Sequence, residues 1–172
     1  MLLSGKSAII AGDAYGVGRA TALLFAREGA SVVLIDDQAA PNSASHIRVG
    51  EHDVPFVHAD VTDSAQVQAA ANDCEARLGH AHILFNIAGR NPTHQTFRDT
   101  TEDAWAAMLA RNLTSVFLCS KYFLPLLKRG GNGSIINHAS IDALLGNPGI
   151  AAYSAAKGGV LPLTHCMARD LA

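Results

Sequence analysis

The sequence has little cysteine, little net charge and no long apolar run, and each shortage excludes a class of protein. Its three cysteines, Cys74, Cys119 and Cys166, are odd in number and widely spaced, with no CxxC pair or zinc-ligand spacing among them. This pattern excludes a disulfide framework. We therefore expect three reduced thiols, as in a cytosolic protein.

Charge of either sign is also scarce. The 13 basic and 15 acidic residues give a net charge of −2, so bulk charge attracts neither nucleic acid nor anionic lipid, and we expect neither as a partner. No segment reaches the roughly 18 apolar residues of a membrane span, and the amino terminus lacks a signal-peptide cleavage site. We therefore predict a soluble, cytoplasmic protein that does not enter a membrane.

Hydrophobic residues, by contrast, make up 49% of the 172 residues, which is typical of a globular chain with a buried core. We predict a single domain over residues 1–172. Short apolar runs predict strands at Lys6–Ala11, Ser31–Asp36, Val54–His58, His82–Asn86 and Ser134–Ala139. Longer amphipathic runs predict helices at Gly16–Glu28, Ala39–Val49, from Thr62 or Asp63 to Leu78, from Thr100 or Thr101 to about Lys128, and at Ile150–Ala172.

The alternation of strands and helices predicts the fold class. Such an order implies right-handed crossovers and a parallel sheet. The predicted strands are apolar runs rather than alternating apolar and polar residues, which indicates burial on both faces. We therefore predict an α/β protein, a doubly wound parallel sheet of about five strands (a Rossmann fold). Ligands of such sheets bind at the carboxyl ends of the strands.

A glycine-rich loop follows the first predicted strand. It has the pattern G-x3-G-x-G, with glycine at positions 12, 16 and 18. Glycines permit a tight turn and the close approach of a pyrophosphate, and the helix that follows would offer unpaired N–H groups and a positive dipole end. We therefore predict a dinucleotide site whose contacts come from Gly12, Tyr15, Gly16, Val17 and Gly18.

An acidic residue ends the second predicted strand. Asp36 lies 18 residues after Gly18, where a carboxylate can accept hydrogen bonds from an adenosine ribose diol. The carboxylate would repel a 2′-phosphate, Asp37 adds a second negative charge, and we expect Arg19 to be the only cation nearby. The sequence therefore favours NAD over NADP as the cofactor.

Two residues suited to proton transfer share the last predicted helix. Tyr153 and Lys157 are four positions apart, so they lie on one helical face. A nearby ammonium stabilises a phenolate, which suits the pair to acid/base catalysis at an alcohol or ketone oxygen. A surface tyrosine beside a solvated lysine would show the same spacing.

Further candidates fall at the ends of predicted strands, where they would line one edge of the sheet. Asn86 ends the fourth strand and Ser140 follows the fifth. His138, two positions before Ser140, would point to the same side and could touch a substrate or merely pack. The segment from Ile141 to Ala152 would border the substrate, and its single acid and lack of basic residues favour a neutral or apolar alcohol or ketone.

These motifs together resemble the short-chain dehydrogenases/reductases of the compact, single-domain type. The resemblance covers essentially the whole chain. It rests on the glycine loop, Asp60-Val61, Asn86-Ile87-Ala88-Gly89, Asn112, Ser140 and Tyr153-Ser154-Ala155-Ala156-Lys157, in that order. It implies an oxidoreductase that moves a hydride between a nicotinamide and the carbinol carbon of its substrate.

The resemblance also implies catalytic roles. Tyr153 would be the acid/base, and Lys157 would bind the nicotinamide ribose and favour the phenolate. Ser140 would hydrogen-bond the substrate oxygen, and Asn112 would hold a water in a proton relay to Lys157. Taken singly, Asn112 could be an ordinary polar helix residue and Ser140 could cap the next segment.

The remaining motif residues are implied to contact the nucleotide. Asp60 and Val61 would contact the adenine, although Asp60 could simply cap the helix that follows. Asn86, Ala88 and Gly89 would line the adenosine ribose.

The sequence departs from the family pattern at two points. Ala11 stands where the family usually has threonine. Members of the family usually continue past the helix that carries Tyr153, with a sixth strand, a Pro-Gly segment and a helical flap. The alternative function is therefore a truncated, non-catalytic dinucleotide-binding module or a fragment of a longer dehydrogenase.

The family also implies a homodimer or homotetramer, assembled through the long helix and the Tyr153 helix. Metal binding is not predicted. His46, His52 and His58 are spaced by six, and His80 and His82 form an H-x-H pair. Neither set is joined by a cysteine or an acidic ligand at metal-binding spacing.

Overall fold

The computed structural model describes residues 1–38, 46–49, 52–89 and 94–172. Within these residues one sheet is formed by β1 (Ser7–Ala11), β2 (Ser31–Asp36), β3 (His46–Val49), β4 (His52–His58), β5 (Ile83–Asn86) and β6 (Ser134–Asn137). The helices are α1 (Val17–Arg27), α2 (Ser64–Leu78), α3 (Glu102–Leu109), α4 (Ser115–Arg129), α5 (Asp142–Leu145) and α6 (Ala151–Asp170). A π-helical turn, Ala110–Thr114, joins α3 to α4.

The strand order is β3-β4-β2-β1-β5-β6, and every neighbouring pair is parallel except β3 with β4. The predicted parallel sheet of five strands is therefore confirmed. The helix predicted at Ala39–Val49 is wrong over His46–Val49, which forms the antiparallel strand β3. Pairing with β4 outweighs a weak helical pattern that contains the β-branched Ile47 and Val49. Residues 39–45 lie outside the described residues.

Helices pack on both faces of the sheet. Along β1, Ile9 and Ala11 join the cluster that includes α2 and α4, whereas Ala8 and Ile10 join the cluster that includes α1. This alternation follows from the two-residue period of a strand. All five residues of β1 are buried, and burial on both faces explains why the four after Ser7 are apolar.

The long predicted helix is present, but its centre is not regular. Thr101 caps its start by accepting a hydrogen bond from the Ala104 amide. The backbone then changes to the wider π-helical pattern around Asn112 before α4 continues. Such π turns are frequent at functional sites. No helix of the described residues is long and apolar enough to cross a membrane.

Candidate active site

The parallel strands end together at one edge of the sheet. Ala11, the last residue of β1, is in register with Ile35 of β2 and with Asn86 of β5. Asn86 is in turn level with Asn137, the last residue of β6. The segments that follow β1, β2, β5 and β6 therefore leave the sheet side by side. The residues predicted to form the site lie on these segments and on the two helices that pack beside them.

The glycine loop is packed too tightly for any side chain at two of its positions. Gly12 has φ +105°, and a Cβ there would lie 2.3 Å from the Cα of Ala88. A Cβ on Gly18 would lie 2.0 Å from the Gly12 carbonyl oxygen. Because only glycine fits either place, the backbone of the loop can lie directly against α1 and the segment after β5.

Asp13 holds the amides that we expected to be unpaired. Its Oδ2 accepts hydrogen bonds from the amides of Val17 at 2.6 Å and Gly18 at 3.4 Å. Its carbonyl oxygen accepts from the Arg19 amide at 3.0 Å. The prediction of free N–H groups at the start of α1 is therefore wrong, because a carboxylate of the loop itself occupies the anion-binding end of the helix. The sequence could have indicated this contact, because Asp13 is an acidic residue inside the loop that was predicted to bind phosphate.

Asp36 lies at the end of β2, as predicted, and is only 7% exposed. Its carboxylate accepts hydrogen bonds from the amides of Ala14 at 2.8 Å and Gln38 at 3.0 Å. Burial raises the pKa of Asp36, and the neighbouring carboxyl of Asp37 raises it further, against the lowering effect of the two amides. The glycine loop is thus bonded directly to the acid that we expect to bind ribose.

A cation that the sequence did not reveal lies beside this acid. Arg111, in the π-helical turn, forms a hydrogen-bonded ion pair with Asp37, and its Nη1 lies 3.8 Å from Asp60 Oδ1. The expectation that Arg19 is the only nearby cation is therefore wrong. Residues 37 and 111 are far apart in the chain, and only the packing of the π-helical turn against the strand ends brings them together.

A cleft of about 80 Å³ lies among these groups. It is lined by Gly12, Asp13, Ala14, Tyr15, Asp36, Asp37, Gln38, Ala88, Gly89 and Arg111. Tyr15 and Val17 are each about half exposed, the first at the cleft and the second at the start of α1. The glycine cradle and the acid at the end of β2 fit the adenosine and phosphate part of a dinucleotide, provided that Asp13 gives up the helix amides.

Asp60 and Val61 differ in what they expose. Asp60 Oδ1 accepts hydrogen bonds from the Thr62 amide at 2.9 Å and the Thr62 hydroxyl at 2.8 Å. Asp63, not Asp60, caps α2 by accepting hydrogen bonds from the amides of Ala65 and Gln66. The Val61 side chain is 2% exposed and lies in the apolar core, so only its backbone is suited to a nucleotide contact.

The Asn86 side chain braces the strands. Its Nδ2 donates to the Ser120 hydroxyl at 3.1 Å and to Asn137 Oδ1 at 2.8 Å. Asn137 Nδ2 donates in turn to the Thr164 hydroxyl at 2.9 Å. The Nδ2 group of Asn86 thus ties β5 and β6 to α4 and α6, and the placement of Asn86 beside the adenosine ribose stays a prediction.

Asn112 and Lys157 meet at Gly89. A Cβ on Gly89 would lie 2.8 Å from Asn112 Oδ1 and 3.4 Å from Lys157 Nζ. Asn112 is fully buried, and its Nδ2 donates to the Met108 carbonyl oxygen at 3.1 Å. The structure thus brings together three residues that the sequence placed in separate motifs, and one of them, Gly89, also lines the cleft described above.

Lys157 is buried within the turn of α6 that follows Tyr153. Its side chain is 2% exposed, and its Nζ donates a hydrogen bond to the His138 carbonyl oxygen at 2.9 Å. Burial lowers the pKa of Lys157 to about 8. Tyr153 lies one turn earlier on the same helix and is half-buried. The alternative of a solvated surface lysine is therefore wrong.

Ser140 is engaged by its neighbour two positions on. Its Oγ donates to Asp142 Oδ2 at 3.3 Å and accepts from the Asp142 amide at 3.1 Å. Asn147 Nδ2 donates to the other oxygen of Asp142 at 2.6 Å. The hydroxyl thus makes the local turn contact that we considered as the alternative for Ser140, and Asp142 is a member of the site that the motifs did not indicate.

The described residues contain no group of three histidine, cysteine or acidic side chains that could hold a metal ion.

The chain is similar to known proteins over nearly its whole length. The family model described as short chain dehydrogenase matches residues 6–172. An uncharacterized oxidoreductase, YxbG, of Bacillus subtilis is 37% identical, over 99% of this chain and 63% of that protein. A probable galactose dehydrogenase, GalD, of Rhizobium meliloti is 36% identical, over 98% of this chain and 67% of that protein.

A solved structure shows the same fold. The ligand-free aldohexose dehydrogenase of Thermoplasma acidophilum superposes with a TM-score of 0.87 at 28% identity, covering 98% of this chain and 62% of that one. The chain thus spans about two thirds of the length of the proteins that it matches. Because the matching family model extends from β1 to the end of α6, we conclude that the chain belongs to the short-chain dehydrogenase family.

Proposed function

We propose that this chain carries the nucleotide-binding and proton-transfer groups of an NAD-dependent oxidoreductase, which interconverts a secondary alcohol and a ketone. The observation that carries the proposal is the buried Lys157, one helical turn after Tyr153 and beside Asn112 at Gly89. Burying a lysine costs free energy, and buried titratable groups with shifted pKa values cluster at functional sites. Residues 1–172 act as a single domain in this proposal.

The adenosine and phosphate part of NAD would be held by the loop and cleft described above. Gly12 and Gly18 leave room for a close backbone approach, and Asp36 would accept hydrogen bonds from the ribose diol. When bound, the nicotinamide supplies the acceptor or donor of the hydride. Asp36 and Asp37 disfavour an added 2′-phosphate, which supports NAD rather than NADP.

Tyr153 would exchange the proton of the substrate oxygen. Lys157 would hold its positive charge on the same helical face one turn away, and its hydrogen bond to the His138 carbonyl fixes the ammonium next to β6. Asn112, held by Met108, would complete the proton path toward Lys157. Ser140 would turn from Asp142 to hydrogen-bond the substrate oxygen.

The substrate would be a neutral or apolar alcohol or ketone. Ile141, Leu144 and Leu145 are each more than half exposed around α5, next to Ser140. Two of the similar proteins are named for galactose and for aldohexose. Neutral secondary alcohols, ketones and aldoses therefore form the first panel to test.

A dinucleotide-binding module without turnover is the second candidate. It is favoured by the exposure of β6, whose residues are half-buried or exposed, so that the substrate side has less cover than the nucleotide side.

Trp105 and Phe117, both more than a third exposed on α3 and α4, would supply subunit contacts if the chain forms a homodimer or homotetramer.

The test starts with NADH titration of the 172-residue chain, followed by nucleotide fluorescence, with NADPH in parallel. Saturable binding that prefers NADH is the expected result, and a folded sample that binds neither nucleotide would overturn the proposal. Turnover on the substrate panel should then fall by about 10²–10⁴ in Tyr153→Phe while NADH binding persists. Saturable binding with no turnover on the panel would leave the module as the function.

A further inference from the structure

Arg111 joins two acids at the adenosine end of the cleft. Its guanidinium donates a hydrogen bond to Asp37 and lies 3.8 Å from Asp60. The side chains of Arg111 and Asp37 are 17% and 23% exposed, so the pair is partly shielded from solvent and is not a fully screened surface contact.

The contacts of Asp37 determine whether its carboxyl is ionised. Burial acts to raise the pKa of Asp37, but the hydrogen bonds that involve Arg111 and Asp36 outweigh it, and the pKa lies below its ordinary value. Asp37 is therefore the ionised partner of Arg111, and its carboxylate also lies within hydrogen-bonding reach of Asp36. Asp36 is the acid that we expect to bind the ribose diol. The carboxylate of Asp37 therefore links the Arg111 guanidinium to the acid at the expected ribose position.

We propose that Arg111 is a latent ligand for a 2′-phosphate, and that Asp37 occupies its guanidinium as an internal anion and thereby excludes NADP. The inference rests on the proposed function of the cleft. It goes beyond repulsion by Asp36, because it assigns the cofactor preference to an ion pair that can be opened.

The chemistry of the two anions supports the exchange. Arginine binds carboxylates and phosphates through the same planar fork of N–H donors. A 2′-phosphate beside Asp36 would compete with the Asp37 carboxylate for the guanidinium of Arg111. With Asp37 present, the phosphate meets two carboxylates and an occupied guanidinium. With Asp37 removed, it meets the Asp36 carboxylate and a guanidinium that no longer has a hydrogen-bonded anion, with Asp60 at 3.8 Å and Asp36 as its acidic neighbours.

Fragments of the cofactor test this without the nicotinamide side of the site. We would measure by calorimetry the Kd of 5′-AMP and of adenosine 2′,5′-bisphosphate for the full chain. The wild type should prefer 5′-AMP. Asp37→Ser should shift the ratio of the two Kd values toward the bisphosphate by about tenfold or more, and Asp37→Asn should shift it in the same direction.

The role of Arg111 is isolated by the double variant Asp37→Ser/Arg111→Ala, in which the gain should disappear. Asp73→Ser is the matched control, because it removes the same charge and releases Arg77 on the exposed surface of α2; its ratio should stay at the wild-type value. A gain that survives in the double variant, or no gain in either Asp37 variant while 5′-AMP still binds, overturns the inference alone. A folded wild type that binds neither 5′-AMP nor NADH overturns the proposed nucleotide site and this inference with it.

Discussion

The two sides of the active-site edge are held together by different forces. On the side of the proposed nucleotide cleft, β1 is buried over its whole length, and β2 is buried except at its first residue. On the side proposed to bind substrate, called the substrate side below, no residue of β6 reaches full burial. Apolar packing on both faces fixes the glycine loop and Asp36. The substrate side relies more on polar contacts, through Asn137 with Asn86 and Thr164 and through Lys157 with the His138 carbonyl.

This difference teaches where the site is rigid. A hydrophobic core resists displacement because interiors are close-packed. A hydrogen-bonded edge tolerates small shifts but loses stability sharply when a buried partner is removed. Substitutions near β1 should therefore change the free energy of unfolding through lost packing. Substitutions near β6 should change it through lost polar partners or altered charge.

The largest expected effect compares two isoleucines on the same face of the sheet. Ile10 of β1 is fully buried, whereas Ile136 of β6 is 42% exposed. Ile10→Ala should lower the free energy of unfolding by about 2–5 kcal/mol and Ile136→Ala by less than about 1 kcal/mol. Urea denaturation of both variants measures this, and equal losses would show that β6 is as tightly packed as β1.

The next effect concerns the buried amine on the substrate side. The pKa of Lys157 is about 8 in the folded chain, against an ordinary value of 10.5. Between these values the unfolded chain binds more protons than the folded one, so the contribution of Lys157 to the free energy of unfolding rises with pH. The rise from pH 8 to pH 10.5 should reach up to about 3 kcal/mol.

Buried thiols act in the opposite direction over part of that range, since burial raises the pKa of Cys74 and of Cys119 to about 12. Each thiol stabilises the fold below its ordinary value of 9, and that contribution is lost as the pH rises toward 12. The measurement is therefore the difference between wild type and Lys157→Met in urea unfolding at several pH values. A difference that stays constant from pH 8 to 10.5 would contradict the lowered pKa of Lys157.

Two glycines compare the turns that border the two sides. Gly12, after β1, and Gly131, before β6, both have positive φ, but only Gly12 has backbone within 4 Å of an added Cβ. Gly131→Ala should cost about 1–2 kcal/mol for the left-handed backbone alone. Gly12→Ala should cost about 1–3 kcal/mol more, because Ala88 must move, and it should also weaken NADH binding. Thermal unfolding of the two variants separates the clash from the conformational strain.

The smallest effect concerns the acid of the glycine loop. Asp13→Asn keeps a hydrogen-bond acceptor for the Val17 amide but removes the negative charge from the phosphate end of α1. NADH should then bind several-fold more tightly, since cofactor phosphates no longer displace a carboxylate. Asp63→Asn is the matched control, because Asp63 caps α2 in the same way. Weaker binding in Asp13→Asn, with no change in the control, would mean that Asp13 assists the nucleotide.

Much of the fold could be read from the sequence, because its signals are local. Apolar runs predicted the five parallel strands, and Asp63 with Gly79 bounded α2 as expected. The segment before β4 was misassigned, since an antiparallel edge strand is defined by its partner more than by its own residues. The π-helical turn was also missed, because one extra residue in a helical turn leaves no mark in a pattern of apolar spacing.

For the candidate site, the sequence by itself determined which chemical groups are available and near which strand ends they fall. Spacing was enough for this, because parallel strands end at one edge and residues four apart on a helix share a face. Only the tertiary structure decided which groups touch: Asp13 on the amides of α1, Arg111 on Asp37, Asn86 on Asn137, and Lys157 buried against the His138 carbonyl. Apart from the contact of Asp13, these contacts join distant parts of the chain. The charge and burial of the side chains in them depend on tertiary packing, which a local sequence pattern does not determine.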